Sequence, residues 1–299
     1  MNIQLSILQF LQSIRNPILN ILFLGLTMSA EVPVIVLFTA IIYWCINKKH
    51  GQKLLFTLVG NIALNTGIKE YVKAPRPIGI QGLESMRVET ATGYSFPSGH
   101  TQIATTFWVS LMTIFKKNWL YILGTIMFLG IGISRLYLGV HWPIDVLFGW
   151  IFGIIFTLIL SKIFDIVDEN KKYYLLVVLL IPFVVVAFLL NSIDYIKMLG
   201  LLTGFVFGYI VEDKFIQFNT GNNSNERINF SNKPNKNNNL LNHVLRTLIG
   251  LVTLGLVYVG LKYIMPSNMI GDYIRYTLIV FYAVGIVPAL FKVCKLDRK

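Results

Sequence analysis

The chain has 299 residues, 55% of them hydrophobic and 13% charged, with a mean hydropathy of +0.65. An ordinary soluble domain carries about 25% charged residues, so a water-soluble globular fold is excluded and the composition is that of a polytopic membrane protein. The net charge of +12 sits in small clusters between apolar runs, not in one basic stripe interleaved with aromatics, which argues against nucleic acid as a partner and reads as a topology signal.

In chain order, residues 3–26 mix Leu, Ile and Phe with Gln4, Gln9, Gln12, Arg15 and Asn16. That pattern predicts an amphipathic helix region over 1–29 lying in the membrane interface, with a further span as the alternative. Apolar runs follow at 32–46, 54–69, 100–115, 119–134, 143–163, 173–190, 195–211, 246–264 and 273–293, predicting nine spans. No basic n-region with a small-residue cleavage site opens the chain, so the first span is expected to serve as its own insertion signal. The expected architecture is all-α: a six-helix core at 30–191 and a C-terminal transmembrane extension at 192–299 with about three additional helices. Gly204 and Gly208 form a small-xxx-small pair, a pattern common in membrane helices. The Asn-rich stretch 219–242 has few large apolar residues and is expected to be a disordered inner loop. Its Asn content and the Lys-rich composition point to an AT-rich bacterial genome. Cys45 and Cys294 have no paired or metal-ligand spacing, so neither a disulfide nor a zinc site is expected.

Loop charge sets the orientation. If the chain enters the first span from outside, 17 of its 26 Lys and Arg residues fall in inner connections, as the positive-inside rule requires. Residues 69–100 then join spans two and three, and 135–142 join spans four and five. Helix parity therefore places both on the extracytoplasmic face.

Those connections hold the chemistry-bearing residues. Lys69, Arg76 and Arg135 are cations from three places in sequence, and arginine presents a planar donor fork suited to phosphate oxygens. Ser98 and Gly99 precede a helix N-terminus, whose free amides favour an anion. His141 and Asp145 are four apart, on one helical face, with Pro143 between them as a first-turn residue. Asp145 can orient one imidazole nitrogen and leave the other as nucleophile, while His100 from another helix serves as general acid and base. A phosphohistidine intermediate follows from this scheme. Taken singly, each residue has an ordinary reading: a lysine snorkelling to water, an outer-loop charge, a helix-start histidine, a structural i, i+4 pair.

Lys-x6-Arg-Pro at 69–77, Pro-Ser-Gly-His at 97–100 and Ser-Arg-x5-His-x3-Asp at 134–145 together resemble the three-part signature of the type 2 phosphatidic acid phosphatase superfamily. The resemblance implies a metal-independent, cofactor-free phosphatase of the integral-membrane kind. It implies His141 as nucleophile, Asp145 as its partner, His100 as acid and base, and Lys69, Arg76, Ser98, Gly99 and Arg135 as phosphate ligands. The substrate expected is a lipid phosphate or lipid pyrophosphate, such as phosphatidate, phosphatidylglycerol phosphate or a polyprenyl pyrophosphate, in a multi-pass cell-membrane protein. A phosphotransferase using the same intermediate, and a non-enzymatic transporter or scaffold, are the alternatives. The 20-residue segment 78–97, with Glu84, Arg87, Glu89 and Tyr94, is long for a connection and is expected to shape the headgroup site.

Overall fold

The computed structural model describes residues 3–220 and 236–297. Within them the chain is helical: α1 (Ile3–Ser13), α2 (Pro17–Met28), α3 (Val32–Ile41), α4 (Lys48–Val72), α5 (Gly99–Phe115), α6 (Asn118–Tyr137), α7 (Pro143–Asn170), α8 (Tyr174–Leu190), α9 (Ile193–Val211), α10 (Lys236–Ile264), α11 (Met269–Phe281) and α12 (Val287–Val293). Wide π-type turns at Ile42–Ile46, Glu212–Ile216 and Tyr282–Ile286 continue α3, α9 and α11.

Each predicted apolar run falls on a helix. By length and composition, five are able to cross a membrane: Asn118–Tyr137, Pro143–Asn170, Ile193–Ile216, Leu240–Ile264 and Met269–Val293. Val32–Ile46 and Tyr174–Leu190 are apolar but shorter. Helices α4 and α5 are less apolar for a visible reason: Asn61, Asn65, Thr101, Gln102, Thr105 and Thr106 face the protein interior and are all buried.

Residues 3–26 are not one straight span. Helices α1 and α2 meet at a 120° bend. The cause lies in the sequence, because the Asn16 side chain accepts from Leu19 N at 2.9 Å as an N-cap and Pro17 occupies the first helical position. Ile3, Ile7 and Phe10 are exposed along one side of α1, with Ile14 exposed just past its end, while Gln4 and Gln12 accept from the backbone amides of Ile144 and Glu84 at 3.2 and 2.8 Å.

The expected disordered loop divides. Residues 221–235 lie outside the described residues, whereas 236–242 form the first turns of α10, where Leu240 and Leu241 begin the apolar pattern that sustains that helix.

The chain forms two compact units, residues 1–35 with 57–164 and residues 36–56 with 165–299. In the first, glycines let helices approach to backbone distance. A Cβ on Gly153 or Gly149 of α7 would lie 2.6 Å from Thr105 Cβ or 2.9 Å from Thr101 Cβ of α5, and one on Gly132 of α6 would lie 2.5 Å from the Trp150 ring. A buried polar chain joins the same helices: Asn65 Nδ2 donates to Gln102 Oε1 at 2.8 Å, Gln102 Nε2 to Asn61 Oδ1 at 3.1 Å, and Asn61 Nδ2 to Thr157 Oγ1 at 3.3 Å. With no water in a hydrocarbon layer to compete, such bonds define one register.

In the second unit, Gly200, Gly204 and Gly208 of α9 face α11 and its continuation; a Cβ on Gly204 would come within 2.2 Å of Thr277 O. The Gly204–Gly208 pair noted in the sequence is thus a packing contact.

Candidate active site

The geometry starts at the end of α6. Val140 N donates to Arg135 O at 3.2 Å and Gly139 N to Leu136 O at 2.9 Å, the double closure of a Schellman turn. Gly139 takes φ +69°, the left-handed conformation this turn requires. Tyr137, Leu138 and Val140 are buried against Leu19, Phe23 and Leu24 of α2 and Ile78 and Met86 of the connecting segment. The turn therefore delivers His141 directly to the start of α7.

There Pro143 is the first helical residue and Asp145 the third. Asp145 Oδ2 accepts from Trp142 N at 2.8 Å, the backward half of a capping box, so the carboxylate is held by its own helix. The same oxygen lies 3.2 Å from His141 Nδ1. On the other side of the ring, Arg76 Nη1 stands 2.9 Å from His141 Nε2. Arginine can only donate, so Nε2 is the accepting nitrogen and the ring proton belongs on Nδ1, facing Asp145. Burial first, and then the cations Lys69, Arg76 and Arg135, hold His141 well below the ordinary imidazole value. The ring is neutral and carries its lone pair on Nε2.

The three cations are placed differently. Arg135 is completely buried; its Nη1 donates to Thr27 Oγ1 of α2 at 2.7 Å, while Nε and Nη2 have no hydrogen-bond partner among the described residues. Arg76 is spread over backbone carbonyls, donating to Gly93 O at 2.9 Å, Thr92 O at 2.7 Å and Val140 O at 3.0 Å. Lys69 Nζ donates to Tyr94 O and, at 3.4 Å, to Ser95 O. Two of the three therefore also organise residues 92–95.

Ser98 N donates to Asp145 O at 2.9 Å, tying the start of α5 to that of α7. The Ser98 hydroxyl accepts from Thr101 Oγ1 at 2.8 Å. A Cβ on Gly99 would meet Asn65 Oδ1 at 3.5 Å and Lys69 Cε at 3.8 Å, ordinary contacts, so packing alone does not demand glycine there. His100, in the first turn of α5, sits in the field of Arg135, Arg76, Lys69 and Arg87. All eight residues singled out in the sequence thus fall within the unit formed by 1–35 and 57–164.

Residues outside the three motifs complete the arrangement. Ser95 is fully buried and donates from Oγ to Asp145 Oδ2 at 2.5 Å. Thr27 anchors Arg135, and Asn65 Nδ2 donates to Pro97 O at 3.4 Å. The segment 78–97 is tied down at several points: Met86 N donates to Leu138 O at 2.9 Å, Ser85 Oγ to Gly139 O at 2.7 Å, and Arg87 Nε to Glu31 Oε1 at 3.0 Å. Ser95 stands next but one to the Pro-Ser-Gly-His run, and that proximity was the one signal for it in the sequence.

The arrangement is a neutral histidine held by a carboxylate, in the field of a buried arginine with unpartnered donors and of a second histidine. Residues 51–169 match the PAP2 superfamily, and residues 196–299 match the transmembrane extension of PAP2 superfamily phosphatases. The chain is 30% identical over 173 residues to phosphatidylglycerophosphatase B of Bacillus subtilis, covering 54% of this chain and 81% of that one. It is 38% identical over 107 residues to an undecaprenyl-diphosphatase of Sulfolobus acidocaldarius, a match spanning 36% of this chain and about half (51%) of that relative's length. The crystal structure of a transmembrane PAP2-type phosphatidylglycerolphosphate phosphatase from Bacillus subtilis aligns with 56% of this chain and 85% of its own, at 28% identity and a TM-score of 0.46. The chain belongs to the PAP2 superfamily.

Proposed function

We propose that the protein hydrolyses the phosphate or pyrophosphate of a membrane lipid at the extracytoplasmic face, through a phosphohistidine intermediate. The observation that carries this reading is the His141 ring: neutral, with Nδ1 held by Asp145 and the Nε2 lone pair directed into the cluster of Arg76, Arg135 and Lys69. The relatives lend support, since two carry the names of phosphatases of a phosphoglyceride and of a polyprenyl diphosphate. The extracytoplasmic side rests on the loop-charge bias.

Substrate phosphate takes up the two unpartnered donors of Arg135 and draws Arg76 Nη1 off Nε2. Nε2 then attacks phosphorus and the P–O bond to the lipid breaks. The bound phosphate offsets the field of Arg135, Arg76 and Lys69 on His100, so that His100 carries a proton and gives it to the departing oxygen, while Asp145 stabilises the positive ring that forms on His141. In the second half, His100 takes a proton from water, whose oxygen attacks the phosphorus on Nε2; the P–N bond breaks and inorganic phosphate leaves. Lys69, Arg76, Arg135 and the amides at the start of α5, near Ser98 and Gly99, hold the phosphate oxygens throughout. No step requires a metal ion or cofactor. Helix α1 lies in the interface, with Ile3, Ile7, Phe10 and Ile14 toward lipid.

The test is phosphate release by the purified protein on phosphatidate, phosphatidylglycerol phosphate, a sphingoid phosphate and undecaprenyl pyrophosphate, with and without a chelator. Turnover of at least one lipid is expected, unchanged by chelation and abolished, together with an acid-labile phosphoenzyme, in His141→Ala. Full activity of His141→Ala would sink the mechanism. A phosphorylated acceptor in place of free phosphate would make the protein a phosphotransferase.

A further inference from the structure

We propose that Ser95 is a positioning residue of this reaction: its hydroxyl holds the Asp145 carboxylate and, through it, the His141 ring in the orientation for attack. The inference rests on His141 being the nucleophile. Ser95 is outside the three motif runs, completely buried, and bound on all of its polar atoms. Its amide donates to Ala74 O at 2.9 Å and its carbonyl accepts from Lys69 Nζ at 3.4 Å, so the backbone is fixed on the segment 69–76 that carries two of the cations. What remains is the hydroxyl, which is 2.5 Å from Asp145 Oδ2 and 3.4 Å from His141 Nδ1.

Donor and acceptor roles follow from the site. Nδ1 carries the ring proton because Nε2 accepts from Arg76, so Nδ1 cannot accept from Ser95. The hydroxyl proton therefore goes to Asp145. Its oxygen lone pair faces Nδ1–H, and Ser95 bridges the pair. At 3.2 Å and with only one further anchor, the Trp142 amide, the His141–Asp145 contact is long for a charge-assisted hydrogen bond. The Ser95 hydroxyl supplies the restraint that this length leaves missing. When His141 becomes cationic on attack, a carboxylate already held by Ser95 and Trp142 does not have to reorganise to stabilise it. A purely structural serine would satisfy its hydroxyl on a nearby carbonyl; here it is spent on the one carboxylate of the site.

The experiment measures steady-state turnover on the best lipid of the panel and single-turnover phosphoenzyme formation, in wild type, Ser95→Ala, Asp145→Asn and the double variant. Orthovanadate binding and thermal unfolding in detergent serve as controls for the fold. Ser95→Ala is expected to lower kcat and phosphoenzyme formation about ten- to a hundredfold, the scale of one hydrogen bond to a charged group, with KM and vanadate affinity within about twofold. In the Asp145→Asn background the same substitution should cost less than about threefold, because its target is gone. If Ser95→Ala fails to fold, Ser95→Cys, nearly isosteric with a weak donor, carries the test and should be intermediate. Unchanged kcat, a change confined to KM, or an equal loss in both backgrounds would each overturn the proposal. An active, His141-dependent wild type with an unaffected Ser95→Ala sinks this inference alone; a wild type insensitive to His141→Ala sinks the mechanism on which it rests.

Discussion

Four lysines of one unit and three cations of the other are placed in contrasting ways, although each unit also has an exception: the buried Arg246 donates to the carbonyls of Leu296 and Trp44, and Arg87 pairs with Glu31. In the unit of residues 36–56 and 165–299, four lysines meet carboxylates: Lys48 with Glu212 at 3.1 Å, Lys49 with Asp168 at 2.8 Å, Lys53 with Asp165 at 2.7 Å and Lys171 with Asp213 at 2.9 Å. In the unit of residues 1–35 and 57–164, Lys69, Arg76 and Arg135 form no ion pair among the described residues; their partners are carbonyls, the Thr27 hydroxyl and the neutral ring nitrogen Nε2 of His141. A buried cation without a counter-charge is costly, and of the Arg135 nitrogens only Nη1 is taken up, by Thr27 of α2. On our proposal the difference marks the place of the substrate anion. Paired charges hold helices together, whereas the three cations around His141, on our proposal, await the substrate's phosphate.

Removing cations one at a time from each unit tests that contrast. The largest effect is expected for Arg135→Met, which keeps much of the side-chain volume and deletes the charge. Phosphate release, as kcat/KM, should fall about a hundred- to ten-thousandfold, for two lost charged hydrogen bonds, while thermal stability in detergent stays level or rises. A stable protein with full activity would remove Arg135 from the cradle. Next, Lys48→Met strands the completely buried Glu212, which keeps only Gln52 at 2.8 Å and the Phe218 amide at 2.9 Å. Unfolding in mixed micelles should then show a loss of about 3 kcal/mol, and unchanged stability would mean that the pair holds nothing. Smallest is Lys49→Ala, since that side chain is 59% exposed and Asp168 retains Lys171 and Tyr209. The same unfolding measurement should move by less than about 1 kcal/mol, and a larger loss would show that the lattice acts as one network.

Much of this was legible before any coordinates. The apolar runs mark the helices because a bilayer-length window reads burial from lipid and protein alike. His141 and Asp145 are legible as a pair because a four-residue spacing behind Pro143 puts them on one face. The 120° bend between α1 and α2 was also written locally, in the N-cap Asn16 and Pro17, yet composition alone read through it. Ser95, Thr27 and Asn65 were not legible. Ser95 lies 50 residues from Asp145 and Thr27 lies 108 from Arg135, and serine, threonine and asparagine are too common in helices and turns to mark such contacts.

By itself the sequence determined the all-helical membrane class, the family and the residue types of the site, because hydropathy, helical period and spacing act over a few turns of chain. Only the tertiary structure decided which cation is free and which nitrogen of His141 bears the proton. Arg76 and Lys69 spend donors on the carbonyls of 92–95, Arg135 keeps two, and the arginine on Nε2 turns the Nδ1 proton toward Asp145 and Ser95. Those outcomes depend on side-chain directions at the ends of separate helices, set by close approach at Gly149, Gly153 and Gly132 and by the Schellman turn at Gly139.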